Sequence, residues 1–546
     1  MLIHTRTAGL LAVLALLVGC GSVADDTAGS TDSGSRTVPT GEVVAASGFD
    51  VAVDGFSFPN YGNDEGVANL APNTVRALFG DQVCARLNGA ECVLTPTADK
   101  WMQAQNTDMD GGHCFGLAGL SWAMYTGAID PNRYGAPQAA DIALAGNTAL
   151  QNDIAAVFVT QETAPTTESK LTLAPNEAIA TLQEAWSAGR GYALAIFNIK
   201  DGEATDGHAV TPVAVEQLDN GNTGIVLYDN NFPGEPQVLE VDPVANTWTY
   251  TTAADPSQDP DIYTGGVDNP LELWPVEPML GPQTCPFCPA SATSAAPGID
   301  GNPRPVSGTS RFTSVYLNEE QGSQGVQMTV TDLAGIPIPG ATATTPIDGG
   351  DTGASRLQVP LGIPFIVNID GSTLTQAASA DLSVIGPGYA FGVDQFLVAP
   401  GDINQVVFSP DRNSFEFRSA ATSAPDVFHT FENETAAFGF LFGGLELPTG
   451  GSITVSLNTA NQTVTARTAP PPDTTVDPNA TSTVDFVIER IDDQTENTVT
   501  SDPIELAPNE SLVVGYGAWT PGDNGVPVGI DYTNDGVIDE QLVDAS

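Results

Sequence analysis

The pattern of apolar and polar positions changes character along this chain. In the first half, helical and strand periods alternate. Phe115, Ala118 and Trp122 share one stripe at helical spacing, with Leu117, Leu120 and Met124 close beside it. Asn176 to Ala188 predicts a second helix, with Ala178, Ile179, Leu182, Ala185 and Trp186 on one face. Tyr192 to Ile199 is a largely apolar run of strand length. His208 to Glu216, Gly224 to Tyr228, Gln237 to Val241 and Thr247 to Thr252 read as further strands. Helix followed by serial strands predicts an α+β domain, a helix packed on an antiparallel sheet.

The second half has no strong helical period. Short strand-like runs recur instead, at Val326–Val330, Pro364–Val367, Ser414–Phe417 and Ser452–Leu457, separated by Gly, Pro, Asn and Asp. That pattern predicts an all-β, sandwich-like C-terminal region of one or two modules. Pro470-Pro471-Pro472-Asp473 marks either a boundary between them or a long loop.

The N-terminus reads as an address rather than fold. Leu10 to Val18 is an apolar run too short to span a bilayer as a helix, and no later segment is long and apolar enough to do so. Leu17-Val18-Gly19-Cys20 then resembles the lipobox of bacterial lipoproteins, which implies lipidation at Cys20 and anchoring to the cell envelope, facing the periplasm or exterior. An ordinary signal peptide would leave the protein exported but free. The small, polar, acidic stretch that follows has nothing to bury and reads as a flexible tether. The division expected is leader 1–19, tether 20–45, an α+β domain 46–280, a linker 281–308 and β modules 309–546.

Charge narrows the partners. The chain of 546 residues carries 16 Lys and Arg against 67 Asp and Glu, a formal net charge of −51. Phosphate binding needs a basic face, so nucleic acid is not expected as a partner. The acidic surface reads chiefly as a solubility device.

Export permits disulfides. Of the six cysteines, Cys20 is assigned to lipid. Cys84 and Cys92 flank the turn-rich Arg86 to Ala90 and are expected to pair locally. Cys285-Pro-Phe-Cys288 lacks the strand and helix context of a redox site and reads as a structural clip. Cys114 is left without a partner.

Cys114 follows Asp110-Gly111-Gly112-His113 and opens the first apolar-striped helix. Free N–H groups and the dipole at a helix start favour thiolate and would stabilise an oxyanion. A thiol nucleophile needs a base. His113 is its immediate neighbour and points elsewhere, and His429 lies deep in the second half. His208, at a strand start after Asp206-Gly207, is the candidate. At the end of the next strand stands Asp229-Asn230, either of which would orient the imidazole.

This order resembles that of the papain-like cysteine peptidase superfamily: Cys at a helix start, Gly-His at a strand start, Asp or Asn at the end of the next strand. Gly-His-Ala-Val and the Tyr-Asp-Asn turn look more like its bacterial branches, the bacteriocin-leader-processing peptidases and transglutaminase-like hydrolases. The resemblance spans residues 95–255 and implies a papain-like α+β fold, Cys114 as nucleophile, His208 as base, Asp229 as orienting group with Asn230 as alternative, and a peptide or protein substrate. Asp108 occupies the place where the family carries an oxyanion-hole Gln, and Gln105 is the candidate substitute.

A smaller motif closes the chain. Asp531, Asp535 and Asp539, with Gly536, resemble the first nine positions of an EF-hand loop, but Leu542 stands where Glu belongs. They are candidate Ca²⁺ ligands, and an acidic β-turn is the competing reading. The thiol chemistry itself needs no cofactor. The expected function is a surface-anchored thiol hydrolase of the peptidase or amidase type. The alternatives are a transamidase and a catalytically inactive surface module that binds a partner.

Overall fold

A computed structural model of the chain describes residues 4–5 and 41–542, apart from 64–65, 201–202, 253–260, 290–293, 307–309, 320–324, 346, 348–354, 410, 434, 472–480, 508–509, 520–524 and 536. Apart from His4 and Thr5, the leader lies outside the described residues, as do Leu17-Val18-Gly19, Cys20 and most of the tether.

In the first half, β1 (Glu42–Ala46) is followed by a hairpin of β2 (Cys84–Asn88) and β3 (Glu91–Leu94). Helix α1 (Pro96–Asp108) starts where Thr95 accepts a bond from the Ala98 N–H and Pro96 occupies the first turn. Helices α2 (Cys114–Tyr125), α3 (Thr148–Val159) and α4 (Pro175–Ser187) follow. The strands are β4 (Leu171–Leu173), β5 (Tyr192–Lys200), β6 (Glu203–Gln217), β7 (Thr223–Tyr228), β8 (Pro236–Asp242), β9 (Thr247–Thr252), β10 (Asp261–Gly265) and β11 (Leu271–Pro275). They form a nine-stranded antiparallel sheet in the order β10-β9-β8-β7-β6-β5-β11-β4, with β1 also pairing β6. Alternate residues of β5 feed two cores. Ala193 and Ala195 join the cluster that holds α2, whereas Leu194 and Ile196 join the one that holds Leu182 and Ala185 of α4.

The second half supplies ten of the eleven strands of one large antiparallel sheet, the other being His4–Thr5 at its edge, and all nine strands of another. They share one core, in which Val315, Leu382 and Val384 of one sheet meet Val367, Phe417 and Val455 of the other.

The α+β papain-like expectation is corrected by this architecture. Among the described residues strands take 42% and helices 20%, most of the strands lying in three large antiparallel sheets. Local periodicity reveals that a helix exists, but how many strands join one sheet is settled by non-local pairing that periodicity does not carry.

The two halves also dock. Thr97 of α1 shares a buried 2.8 Å hydrogen bond with Thr430, and Lys100 sits over the Phe428 ring. Cys285, Phe287, Cys288 and Ile299, from the segment expected as a linker, are buried in the core that contains α2. Disulfides join Cys84 to Cys92 and Cys285 to Cys288. Among the described residues no helix is long and apolar enough to cross a membrane.

Candidate active site

Helix α1 runs out at Asp108, a short 3₁₀ turn covers Met109–Gly111, and Gly112 takes φ 143°, a conformation open to glycine and strained for other residues. That turn lets the chain restart as α2 with His113 as N-cap and Cys114 as its first residue. The helix is buried along nearly its whole length. Gly116 makes this feasible, because a Cβ there would collide with the Ile154 carbonyl of α3.

His208 sits on β6, whose Thr211 pairs with Tyr228 of β7. Asp229 follows β7 directly, so the antiparallel register carries the carboxylate to the imidazole. His208 Nε2 lies 2.8 Å from Asp229 Oδ1. Both side chains are buried, at 1% and 0% exposure. The Asn231 N–H donates to the same oxygen at 2.8 Å, and the Tyr250 hydroxyl donates to Oδ2. Burial pushes the imidazole toward neutrality. The charge and hydrogen bond of Asp229 override it, the Cys114 thiol adds to the same effect, and His208 is held well above its usual range. Burial would likewise raise Asp229, but His208, Tyr250 and the Asn231 N–H keep it below the usual carboxylate range.

Cys114 is fully buried, and its sulfur accepts a 3.2 Å bond from the Ala209 N–H, the residue after His208. Asn230 plays a different part from Asp229. Its Nδ2 donates to the carbonyls of Cys114 and Ala209 at 3.2 and 2.9 Å, bracing the helix start against the strand. The geometry therefore places Asp229 on the imidazole and Asn230 beside it as a brace.

The other histidines are committed elsewhere. His113 Nδ1 lies 2.6 Å from the Tyr61 carbonyl and Nε2 2.9 Å from Asn69 Oδ1, and burial pulls its pKa down to about 4. His429 lies in the second-half sheet, its ring 4.3 Å from that of Phe391, with its pKa pulled down to about 3 by burial. The Gln105 amide donates to Glu162 at 3.2 Å, within a buried cluster where Arg356 pairs with both Asp108 (2.8 Å) and Glu162.

Two residues near the thiol were not legible from sequence. Gln161 accepts the Ile347 N–H at 2.8 Å, and the Cys114 sulfur donates to the Ile347 carbonyl at 3.4 Å. Ile347 comes from the second half and carried no local signal.

At the end of the chain, Asp531 Oδ1 caps the N–H groups of Thr533 and Asn534, Asp535 Oδ1 that of Val537, and Asp539 Oδ2 that of Tyr532. Among the described residues no group of three or more side chains is gathered for a metal ion.

No family model matches the chain, and neither a curated protein nor a solved structure matches it.

Proposed function

We propose that the chain is an exported thiol hydrolase of amide bonds, anchored by lipid at Cys20, with Cys114 as nucleophile, His208 as base and Asp229 as the group that orients and charges the base. The observation that carries this reading is the buried array itself: Asp229 2.8 Å from the His208 imidazole, the Cys114 sulfur on the N–H of the next residue, Ala209, and the imidazole held above its usual range by the carboxylate and the thiol. The order of these three residues along the chain is the part of the papain-like resemblance that supports it.

In this reading His208 takes the Cys114 proton and the thiolate attacks the carbonyl carbon of the substrate. Backbone N–H groups at the start of α2 meet the oxyanion. The C–N bond breaks, and His208 returns the proton to the leaving amine. Water then attacks the thioester with His208 as base and releases the acid. Ala209 N–H on the sulfur favours the anionic nucleophile throughout.

The test is a peptide and amide library incubated with the full chain, with products read by mass spectrometry. Turnover that Cys114→Ser and His208→Ala each abolish, with sheet content unchanged by circular dichroism, supports the assignment. Turnover indifferent to Cys114→Ser, or none on any amide, removes it and leaves a binding module.

A further inference from the structure

The thiol site of the intact chain is filled by the chain itself. Ile347 is 2% exposed, and its side chain joins the same core as Cys114, Phe115 and Trp274 although the residue belongs to the second half. Its backbone is gripped at both ends: the N–H by Gln161 Oε1 at 2.8 Å, the carbonyl by the Cys114 sulfur at 3.4 Å. Thr345, two residues earlier, donates through Oγ1 to the Ala204 carbonyl of β6, the strand that carries His208, at 3.1 Å. On one side this segment is tied to strand Thr342–Thr344, which pairs with Ser355–Pro360. Arg356 in that second strand is locked to Asp108 and Glu162.

These are the contacts an extended peptide makes in a hydrolase cleft: backbone N–H to a side-chain amide, side-chain bond to an adjoining strand, apolar side chain in a pocket, carbonyl at the nucleophile. A cavity of about 1000 Å³ continues from Ile347, lined by Gln161, Phe197, Trp274, Tyr316 and Arg356 from both halves. Ile347 forms part of its wall, and neither Cys114 nor His208 lines it. The sulfur faces the carbonyl oxygen as a donor, which is a resting contact, and no bond of the segment breaks in it.

We infer that Thr345 and Ile347 stand in the acyl-donor position of the Cys114 site, so that the site takes an extended peptide with a β-branched aliphatic residue at the attacked carbonyl and the intact chain holds it latent. This rests on the thiol-hydrolase reading above. A substrate must displace the segment, and the segment's own hydrogen bonds set the cost of doing so.

The experiment measures iodoacetamide labelling of Cys114 in the full chain, read on its peptide by mass spectrometry, for wild type, Gln161→Ala and Ile347→Gly. Gln161→Ala removes the bond to the Ile347 N–H, together with the Gln161 Nε2 bond to the Phe158 carbonyl, and guards against a folding failure of Ile347→Gly. Gln161→Ala is expected to label about tenfold faster than wild type, the effect of a lost hydrogen bond on a local opening equilibrium, and Ile347→Gly, which keeps both backbone bonds and loses the buried apolar side chain, at least about tenfold faster. A peptide aldehyde ending Thr-Thr-Pro-Ile is expected to protect Cys114 in the Gln161→Ala chain, and one ending in Gly is not. Wild type labelled as fast as both variants overturns the inference, as does equal protection by the two aldehydes. Adding His208→Ala to each chain reads the triad separately: it changes the absolute rates, whereas the ratio of variant to wild type reports the occupancy.

Discussion

The Asp229 carboxylate and the His208 imidazole meet at 2.8 Å with almost no solvent access, and Asp229 receives two further hydrogen bonds, from Tyr250 and from the Asn231 N–H. A buried carboxylate held by three donors is kept below its usual range, and its charge is what offsets burial at the imidazole and raises its pKa. The consequences are measurable.

Asp229→Asn removes the charge and keeps the shape. The imidazole then loses the partner that offsets its burial and falls toward neutrality. Activity on an amide substrate is expected to drop by at least about 10³-fold, since the base loses both its charge partner and its fixed tautomer. Asn230→Ala leaves Asp229 in place and only loosens the bracing of Cys114 and Ala209, so its loss is expected to be about 10²-fold or less. Steady-state rates of the two variants check the order.

The pair also links stability to pH. Asp229 is lowered from 3.8, so its contribution is complete above pH 3.8 and fades as pH falls through the lowered value. His208 is raised from 6.5, so its contribution is complete below pH 6.5 and fades as pH rises through the raised value. The stability gap between wild type and His208→Gln should therefore be widest between pH 3.8 and 6.5 and shrink on either side. Urea unfolding across pH measures it. Breaking a buried pair of this kind costs about 3–5 kcal/mol.

Gly116→Ala should destabilise the chain by about 1–3 kcal/mol, because α2 and α3 must part to admit a methyl group against the Ile154 carbonyl. Thermal unfolding, with Cys114 labelling as a second readout, tests whether the thiol shifts with its helix.

Arg356→Met should cost about 3–5 kcal/mol by leaving Asp108 and Glu162 buried without their cation. Adding Asp108→Asn and Glu162→Gln should recover most of the loss, since the uncompensated charges are then gone. Urea midpoints for the single and triple variants decide it.

Cys114 and Asp229 were legible because each stands at the boundary of an element with a strong local pattern: the stripe through Phe115, Ala118 and Trp122 fixes the start of α2, and an apolar run fixes the bounds of β7. His208, expected at a strand start, lies inside β6, which begins five residues earlier at Glu203 in a polar stretch without a periodic signal. The partner of Gln105 was not legible, because it is Glu162, tied in turn to Arg356 from far down the chain. The fold class was missed for the same kind of reason. β1 pairs with β6 across most of the first half, and no residue near Glu42 announces that partner. Nor does anything around Ile347 announce Cys114, since a contact between distant segments leaves no periodic trace.

The most direct test of the account is the pH dependence of Cys114 alkylation in the chain carrying Gln161→Ala, with and without His208→Ala. The account predicts rapid labelling already at about pH 6, moved by His208→Ala to the ordinary thiol range near about pH 8.5. A single rise near about pH 8.5 in both chains would contradict it, because the thiol would then be independent of the imidazole beside it.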